Sequence, residues 1–593
     1  MNGLPLPRNA PSTLRGHLTS DSAAAPMTPI NRAIPPLRLL CFALSLALGS
    51  AALHAQTRAA PVPNSGQLLQ EAQPPNALAP SSDLRLEVQQ PRRNRADNSQ
   101  SFPVREIRIT GNTALLTATL HALVAPEEGK NLTLADLDDL ADRITDAYHA
   151  HGYPLATAYV PAQTLQDGIV HIAVVEARYG HVTLQNQSQV ADHVLNATLS
   201  PLQQGQQVSD YTLERSLLLL TDVPGASVNS VMRPGEQVGT SDLVVDVTSA
   251  PRYTGTLGLD DYGNRYTDRL RLSGTFAVNG LFNQGDVLNV SGVSSGAGMS
   301  YASAGYKYLL DGQGTVLGIA ASDLHYRLGN GLQDLQAHGT AQVQSVNLSQ
   351  PFIRNTAGNL YGQIEFDHKR LHDDIDIADI ETNRHSNVWV ATLAGDQRDS
   401  SGVTNFNLSG SYGRLYFNNL YAAFADVLGP RTAGSYSKFD YSLSRLQQLS
   451  QDNALYVGFS GQKANKNLDT SEQFYLGGPD SVRGYDVGAV SGAQGTLATI
   501  EYRHDFLLSP LPGPWQASAF VDSGHVQAYK TPFFPGVNSA RLNSVGLGLH
   551  WVAMHDWVLS TSVAKPIGNR PVLVGTDYSN AARFWLQVQK GFY

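Results

Sequence analysis

The chain has 593 residues, too many for one ordinary domain, and its net charge of −9 supplies no basic field for a nucleic-acid partner. Hydrophobic residues make up 42% and charged residues only 15%, below the roughly 25% charged content of a typical soluble protein. Beyond the N-terminal region no stretch approaches the roughly 20 consecutive apolar residues of a membrane helix, so a membrane-embedded form has to be a β-barrel.

The N-terminus carries an address. Arg32 and Arg38 precede an apolar run, Leu39 to Leu48, and Leu53-His54-Ala55 offers a small-residue cleavage site. This predicts a secretory signal peptide over 1–55, with Met27 as a second candidate start. Cys41, the single cysteine, lies in that apolar run, so disulfides, thiolate-bound metal and thiol catalysis are excluded from the mature protein. Segment 56–75 holds a short predicted helix, Asn64 to Ala72, with Ser65 as cap candidate and Pro74-Pro75 as its stop. Segment 76–101 is rich in Pro, Asn, Ser, Arg and Gln and reads as a linker.

Two copies of one pattern follow, over 102–178 and 179–252. In the first, Val104 to Ile109 alternates like a strand and turns at Gly111-Asn112. Two helical stretches come next; the second, Leu134 to His149, repeats Leu137, Leu140, Ala141, Ile144 and Tyr148 at helical spacing. Strands at Ala156 to Val160 and Ile169 to Ala177 flank an Asp167-Gly168 turn. The order is βααββ. The second copy repeats it, with helices at Ala191 to Leu199 and Tyr211 to Leu220, and strands at Ser227 to Met232 and Asp242 to Thr248. A small sheet of this kind with an open edge can accept an extended polypeptide by strand addition.

From 253 to 593 the chain reads as strand after strand. Leu360, Gly362, Ile364 and Phe366 alternate with Tyr361, Gln363, Glu365 and Asp367; Phe584, Leu586 and Val588 alternate with Trp585, Gln587 and Gln589. One face suits lipid and the other a wet interior, and at roughly 20 residues per strand and turn the segment holds about 16 strands. The predicted fold class is therefore membrane β: a roughly 16-stranded antiparallel barrel behind two βααββ modules and a short helix. Phe592 shares the lipid-facing phase, leaving Tyr593 as one extra terminal residue.

Enzymatic motifs fail on context. Gly292-Val293-Ser294-Ser295-Gly296 matches G-x-S-x-G but lies in strand-and-turn territory, without the helix a nucleophile elbow requires. His149 and His151 sit at a helix end without further ligands in view. No enzyme activity, cofactor or metal is expected.

The functional signal lies in two short stretches. Leu476-Gly477-Gly478-Pro479-Asp480-Ser481-Val482-Arg483-Gly484-Tyr485 is a glycine-rich loop presenting one arginine; Phe520-Val521-Asp522-Ser523-Gly524 is a strand with one aspartate on its polar face. A guanidinium fork matches a carboxylate, so a loop carrying Arg483 can be pinned to a wall carrying Asp522. Gly477, Gly478 and Gly484 are expected to allow positive-φ turns and close packing. This Val-Arg-Gly-Tyr loop followed by a Phe-x-Asp-x-Gly strand resembles the outer-membrane transporters of two-partner secretion, the haemolysin and filamentous-haemagglutinin secretion-activation type. These are relatives of the central barrel subunit of the barrel-assembly machinery.

The resemblance covers nearly the whole mature chain, and what it implies is specific. The βααββ units would be periplasmic polypeptide-transport-associated (POTRA) modules, and the helix in 56–75 a plug for the barrel. Arg483 would face Asp522 in the lumen as a latch, with Gly484 and Tyr485 holding the loop's turn. The partner would be a large exoprotein with a β-helical passenger, carried unfolded to the cell surface without nucleotide hydrolysis. Outer-membrane lipid, and the barrel-assembly machinery during biogenesis, would be the other partners. A barrel-assembly or insertase factor and a solute porin are the alternative readings; the plug-like N-terminus argues against the first and the modules against the second.

Overall fold

The first described helix, α1 (Ser65–Ala72), has eight residues and is capped by Asn64, whose side chain accepts from the Gln67 amide. Ser65, the expected cap, is instead the first helical residue, and its hydroxyl reaches out to Asp373. The computed structural model describes residues 62–73, 84–89, 100–569, 571–575 and 578–593; the expected signal peptide and much of the linker lie outside them.

Within the segment read as a linker, Leu86–Val88 forms a strand, β1. The first module then runs β2 (Phe102–Pro103), β3 (Glu106–Thr110), α2 (Thr117–Val124), β4 (Asn131–Leu132), α3 (Leu134–Ala150), β5 (Thr157–Tyr159) and β6 (Ile169–Val175). Thr133 and Asp136 close a capping box on α3, and the predicted stripe Leu137, Leu140, Ala141, Ile144 and Tyr148 is buried against the β3-β6-β5 sheet. The second module comprises β7 (Arg178–Asn186), α4 (Asp192–Leu199), α5 (Asp210–Thr221), β8 (Ala226–Pro234) and β9 (Thr240–Ser249). Its sheet has the order β1-β8-β9-β7, with β1 parallel to β8. The edge expected to be open is therefore filled by the chain's own residues 86–88.

The barrel begins with β10 (Tyr253–Asp260), β11 (Arg271–Asn279), β12 (Val287–Ser294), β13 (Met299–Leu309), β14 (Val316–Arg327) and β15 (Ala337–Arg354). It continues through β16 (Gly358–Ile375), β17 (Ile380–Asp399), β18 (Gly402–Phe417), β19 (Gly434–Ser450) and β20 (Asn453–Ala464). A two-stranded hairpin, β21 (Phe474–Leu476) and β22 (Val490–Gly492), interrupts the meander. The wall then resumes with β23 (Gln494–Leu508), β24 (Leu511–Gln527), β25 (Ser539–Val552), β26 (Trp557–Pro566) and β27 (Arg583–Phe592). Sixteen strands form a closed ring, β27 pairing with β10 from Gly255 opposite Phe592 to Asp260 opposite Gln587. Closure removes every sheet edge, which lipid requires. Outward-facing Ile364, Trp389, Val457 and Phe584 are exposed, while Trp585, one residue out of phase, is buried inside. Among the described residues no helix is long and apolar enough to cross a membrane.

The second module grips the barrel at the β15–β16 turn. The fully buried Arg354 side chain forks onto Asp222 at 2.8 Å through both Nε and Nη2. Glu214 accepts from the Thr356 amide at 3.0 Å, and Arg215 donates to the Pro351 carbonyl at 3.0 Å. The turns on this side of the barrel therefore face the modules, and the loop between β20 and β23 enters from the opposite mouth.

Candidate functional site: a lumen loop and a docked helix

Residues 465–493 fold into the barrel and lie along the wall formed by β24 and its neighbours. Gly477 and Gly478 take φ of 104° and 110°, values open to glycine, and so let the hairpin turn back on itself. Gly484 does not adopt positive φ, contrary to the expectation. It is needed for proximity: a Cβ there would meet the Ser544 Cβ at 2.8 Å and the Pro566 nitrogen at 2.9 Å. Gly524 plays the matching part on the wall, where a Cβ would meet Leu476 and Val482 of the loop at 2.7 and 3.0 Å. Val482 is fully buried, and Ser481 Oγ accepts from the Gly477 amide at 3.3 Å.

Alternation along β24 puts Phe520, Asp522 and Gly524 on the lumen face. Asp522 is completely buried and takes Arg483 through three donors: Nη2 at 2.8 Å, Nε at 3.0 Å and the backbone amide at 3.1 Å. Thr499 and Ser544 hydroxyls, on the strands either side, complete its shell at 3.1 and 3.0 Å. The structure thus joins the two predicted residues. It adds Glu501, which accepts from Arg483 Nη1 at 2.6 Å and from Arg503 Nε at 2.8 Å. The guanidinium sits over Phe520, its central carbon 3.2 Å from the ring centroid. The Arg483 carbonyl accepts from the Trp585 indole at 2.7 Å, and the Gly484 carbonyl from the Tyr578 hydroxyl at 2.9 Å. Tyr485 stacks on Tyr578 with centroids 5.0 Å apart.

Glu501, Trp585 and Tyr578 were missed from sequence. Glu501 had a local signal, a carboxylate at an inward position of a strand. The two aromatics had none, because they meet the loop only through barrel closure.

Helix α1 lies in the same lumen. Leu68, Leu69 and Ala72 pack against Tyr301, Leu324, Tyr326 and Leu371 on the inner wall. Ser65 donates to Asp373 through its amide at 2.7 Å and its hydroxyl at 2.9 Å, and Asp373 is held in turn by Arg384 at 2.5 Å. On its other side α1 touches the loop. The Thr470 hydroxyl donates to Asn64 at 2.8 Å, and a Cβ on Gly66 would strike the Ser471 amide nitrogen at 2.6 Å. Glu71 accepts from Asn264 at 3.0 Å and Gln67 at 2.8 Å. Burial pushes its carboxyl up to about 7, against the opposing pull of Gln67, Asn264 and Arg271.

Residues 239–550 match the family model of the haemolysin secretion/activation protein ShlB/FhaC/HecB, and residues 102–177 match the ShlB-type POTRA domain. The chain is 30% identical over 501 residues to the heme/hemopexin transporter protein HuxB of Haemophilus influenzae strain 86-028NP, covering 83% of this chain and 87% of that one. The chain belongs to this family. It is 25% identical to the outer membrane transporter CdiB of Escherichia coli, over 84% of this chain and 85% of the relative. Among solved structures, CdiB from Escherichia coli superposes with a TM-score of 0.66 at 22% identity, over 85% of this chain and 93% of that one. CdiB from Acinetobacter baumannii gives 0.57 at 19%, over 94% and 97%. At those identities the likeness concerns the fold.

The protein is thus an outer-membrane transporter of two-partner secretion, which serves a secreted exoprotein, and its POTRA modules stand in the periplasm. The β15–β16 turn that Asp222 grips is accordingly periplasmic, and the Arg483 loop descends from the cell-surface mouth.

Proposed function

We propose that the partner passes through the lumen as an extended chain, and that three internal elements gate it: β1, α1 and the Arg483 loop. The observation that carries this reading is that α1 and the 465–493 loop together occupy the lumen, touching one another at Asn64 and Thr470. A polypeptide cannot pass while α1 stays docked. In the periplasm β1 holds the β8 edge by only three residue pairs, Leu86 to Val88 against Ser230 to Met232. An arriving substrate strand can exchange with it and gain the same backbone hydrogen bonds. Because β1 follows α1 closely in sequence, displacing β1 frees the tether that leads to the helix. Arg483 and Asp522 then act as the latch that keeps the loop on the wall, leaving a clear path.

The protein works as a conduit and not as an enzyme. Folding of a β-helical passenger outside the cell supplies direction by preventing back-sliding. Outer-membrane lipid surrounds the apolar band, and the barrel-assembly machinery inserts the barrel, reading its last strand through Phe592. The test is planar-bilayer conductance of the purified protein against a variant lacking residues 62–73. The expected result is a change from small, flickering currents to a large steady pore; equal conductance overturns the plug reading.

A further inference from the structure

On the outer faces of β16 and β17, the surface-exposed ends carry a cluster unrelated to the lumen. Asp373 and Arg384 point inward, so alternation turns His372, Asp374, Glu381 and Asn383 outward. Asp374 lies opposite Glu381 across the strand pair, and His372 lies opposite Asn383 one rung below. His338 stands opposite Asp374 on β15. The apolar band ends near the paired Phe366 and Trp389, and the cluster sits roughly 25 Å further along strands that rise about 3.3 Å per residue. It is in water at the cell surface.

The geometry points to a site for a first-row divalent cation of the zinc class, ligated by His372 Nε2 and carboxylate oxygens of Asp374 and Glu381. One potential ligand atom from each of these three residues lies within 4.8 Å of those of the other two. A tetrahedral ion with bonds of about 2.1 Å needs about 3.4 Å between ligand atoms, inside that spread. Asn383 supplies the orientation. Its Oδ1 engages His372 Nδ1, which sets the tautomer with the lone pair on Nε2, and its amide nitrogen donates to Glu381. Such support of both a ligating imidazole and a ligating carboxylate is what metal sites carry in their outer layer. Nε2 then faces Asp374 Oδ2 at only 2.8 Å, two acceptors that need a positive charge between them. His338 Nδ1, 3.9 Å from the same oxygen, is placed to become a fourth ligand. One nitrogen or two with two carboxylates suits zinc better than calcium or magnesium, which take oxygen ligands.

The test titrates ZnCl2, and separately CoCl2, into the chelator-treated full-length protein in detergent micelles near neutral pH. Saturable binding of one ion per chain is expected, with a cobalt absorption band of a tetrahedral nitrogen–oxygen site. His372→Gln and Asp374→Asn should each lose that band. Asn383→Ala should keep the ligands but weaken zinc by about tenfold to a hundredfold. His525→Gln, on another wall of the barrel, should leave binding unchanged. Heat-modifiable migration on gels verifies that each variant barrel is folded. Absence of saturation, or saturation retained by folded His372→Gln, would show that only a proton bridges His372 and Asp374, and overturns the proposal.

Discussion

Two carboxylates in one lumen, Asp522 and Glu71, have opposite surroundings. Asp522 receives a charged fork, a backbone amide and two hydroxyls, and an aromatic ring covers the arginine that holds it. Glu71 is partly buried and meets mostly neutral donors, so desolvation pushes its carboxyl up to about 7. Around Asp522 the loop brings Val482, Tyr485 and Leu476 into a packed cluster. Around Glu71 an eight-residue helix offers two leucines, worth about 2 kcal/mol each on burial, and a helix so short is marginal alone. The difference teaches that one lumen can hold a tightly packed, charge-paired element beside one held by a few contacts.

The largest expected effect comes from Arg483→Ala. It strands the buried Asp522 without its cation and leaves Glu501 with Arg503 alone, and breaking a buried pair costs about 3–5 kcal/mol. The barrel should still insert, but exoprotein recovered at the cell surface should drop sharply; normal secretion would remove the latch from the comparison. Gly484→Ala should cost about 1–3 kcal/mol by overpacking against Ser544 and Pro566. Its signature is a lower unfolding temperature with Arg483 still present.

On the helix side, Asp373→Asn weakens the charge-assisted anchor of Ser65 by about 1–2 kcal/mol. Single-channel recordings should then show open events about tenfold more often, and an unchanged frequency would mean that Ser65 does not hold the helix. Glu71 sets the smallest effect. Its docked carboxyl titrates near 7 and a released one near the ordinary 4.5, so docking takes up a proton. That contribution is fully present below about pH 4.5 and is lost as pH rises through about 7. Opening should therefore increase between about pH 5 and 8, and Glu71→Gln should flatten the curve.

Much of this was legible in the chain, for reasons that are local. Alternation at Leu360 to Phe366 and Phe584 to Val588 declares a two-faced strand wherever it occurs, and the α3 stripe declares a helix. The Arg483–Asp522 pair was legible because geometry and charge match and the two motifs carry a family resemblance. Ser65 as a cap was a near miss. Asn64 competes for the same role one residue earlier, and Asp373 claims the serine. Residues 86–88 read as linker because three residues carry too little periodicity; only an edge needing hydrogen bonds makes them a strand.

Local sequence was enough for the architecture of two modules and a barrel whose phase can be read residue by residue, since side-chain alternation is a property of the backbone. Tertiary structure decided everything that depends on closure. Ser65 meets Asp373 across 308 residues, Trp585 meets the loop carbonyl across 102, and Glu501 joins Asp522 because β23 and β24 are neighbours in register. Such contacts follow from strand number and stagger around a ring, which no local window of sequence contains.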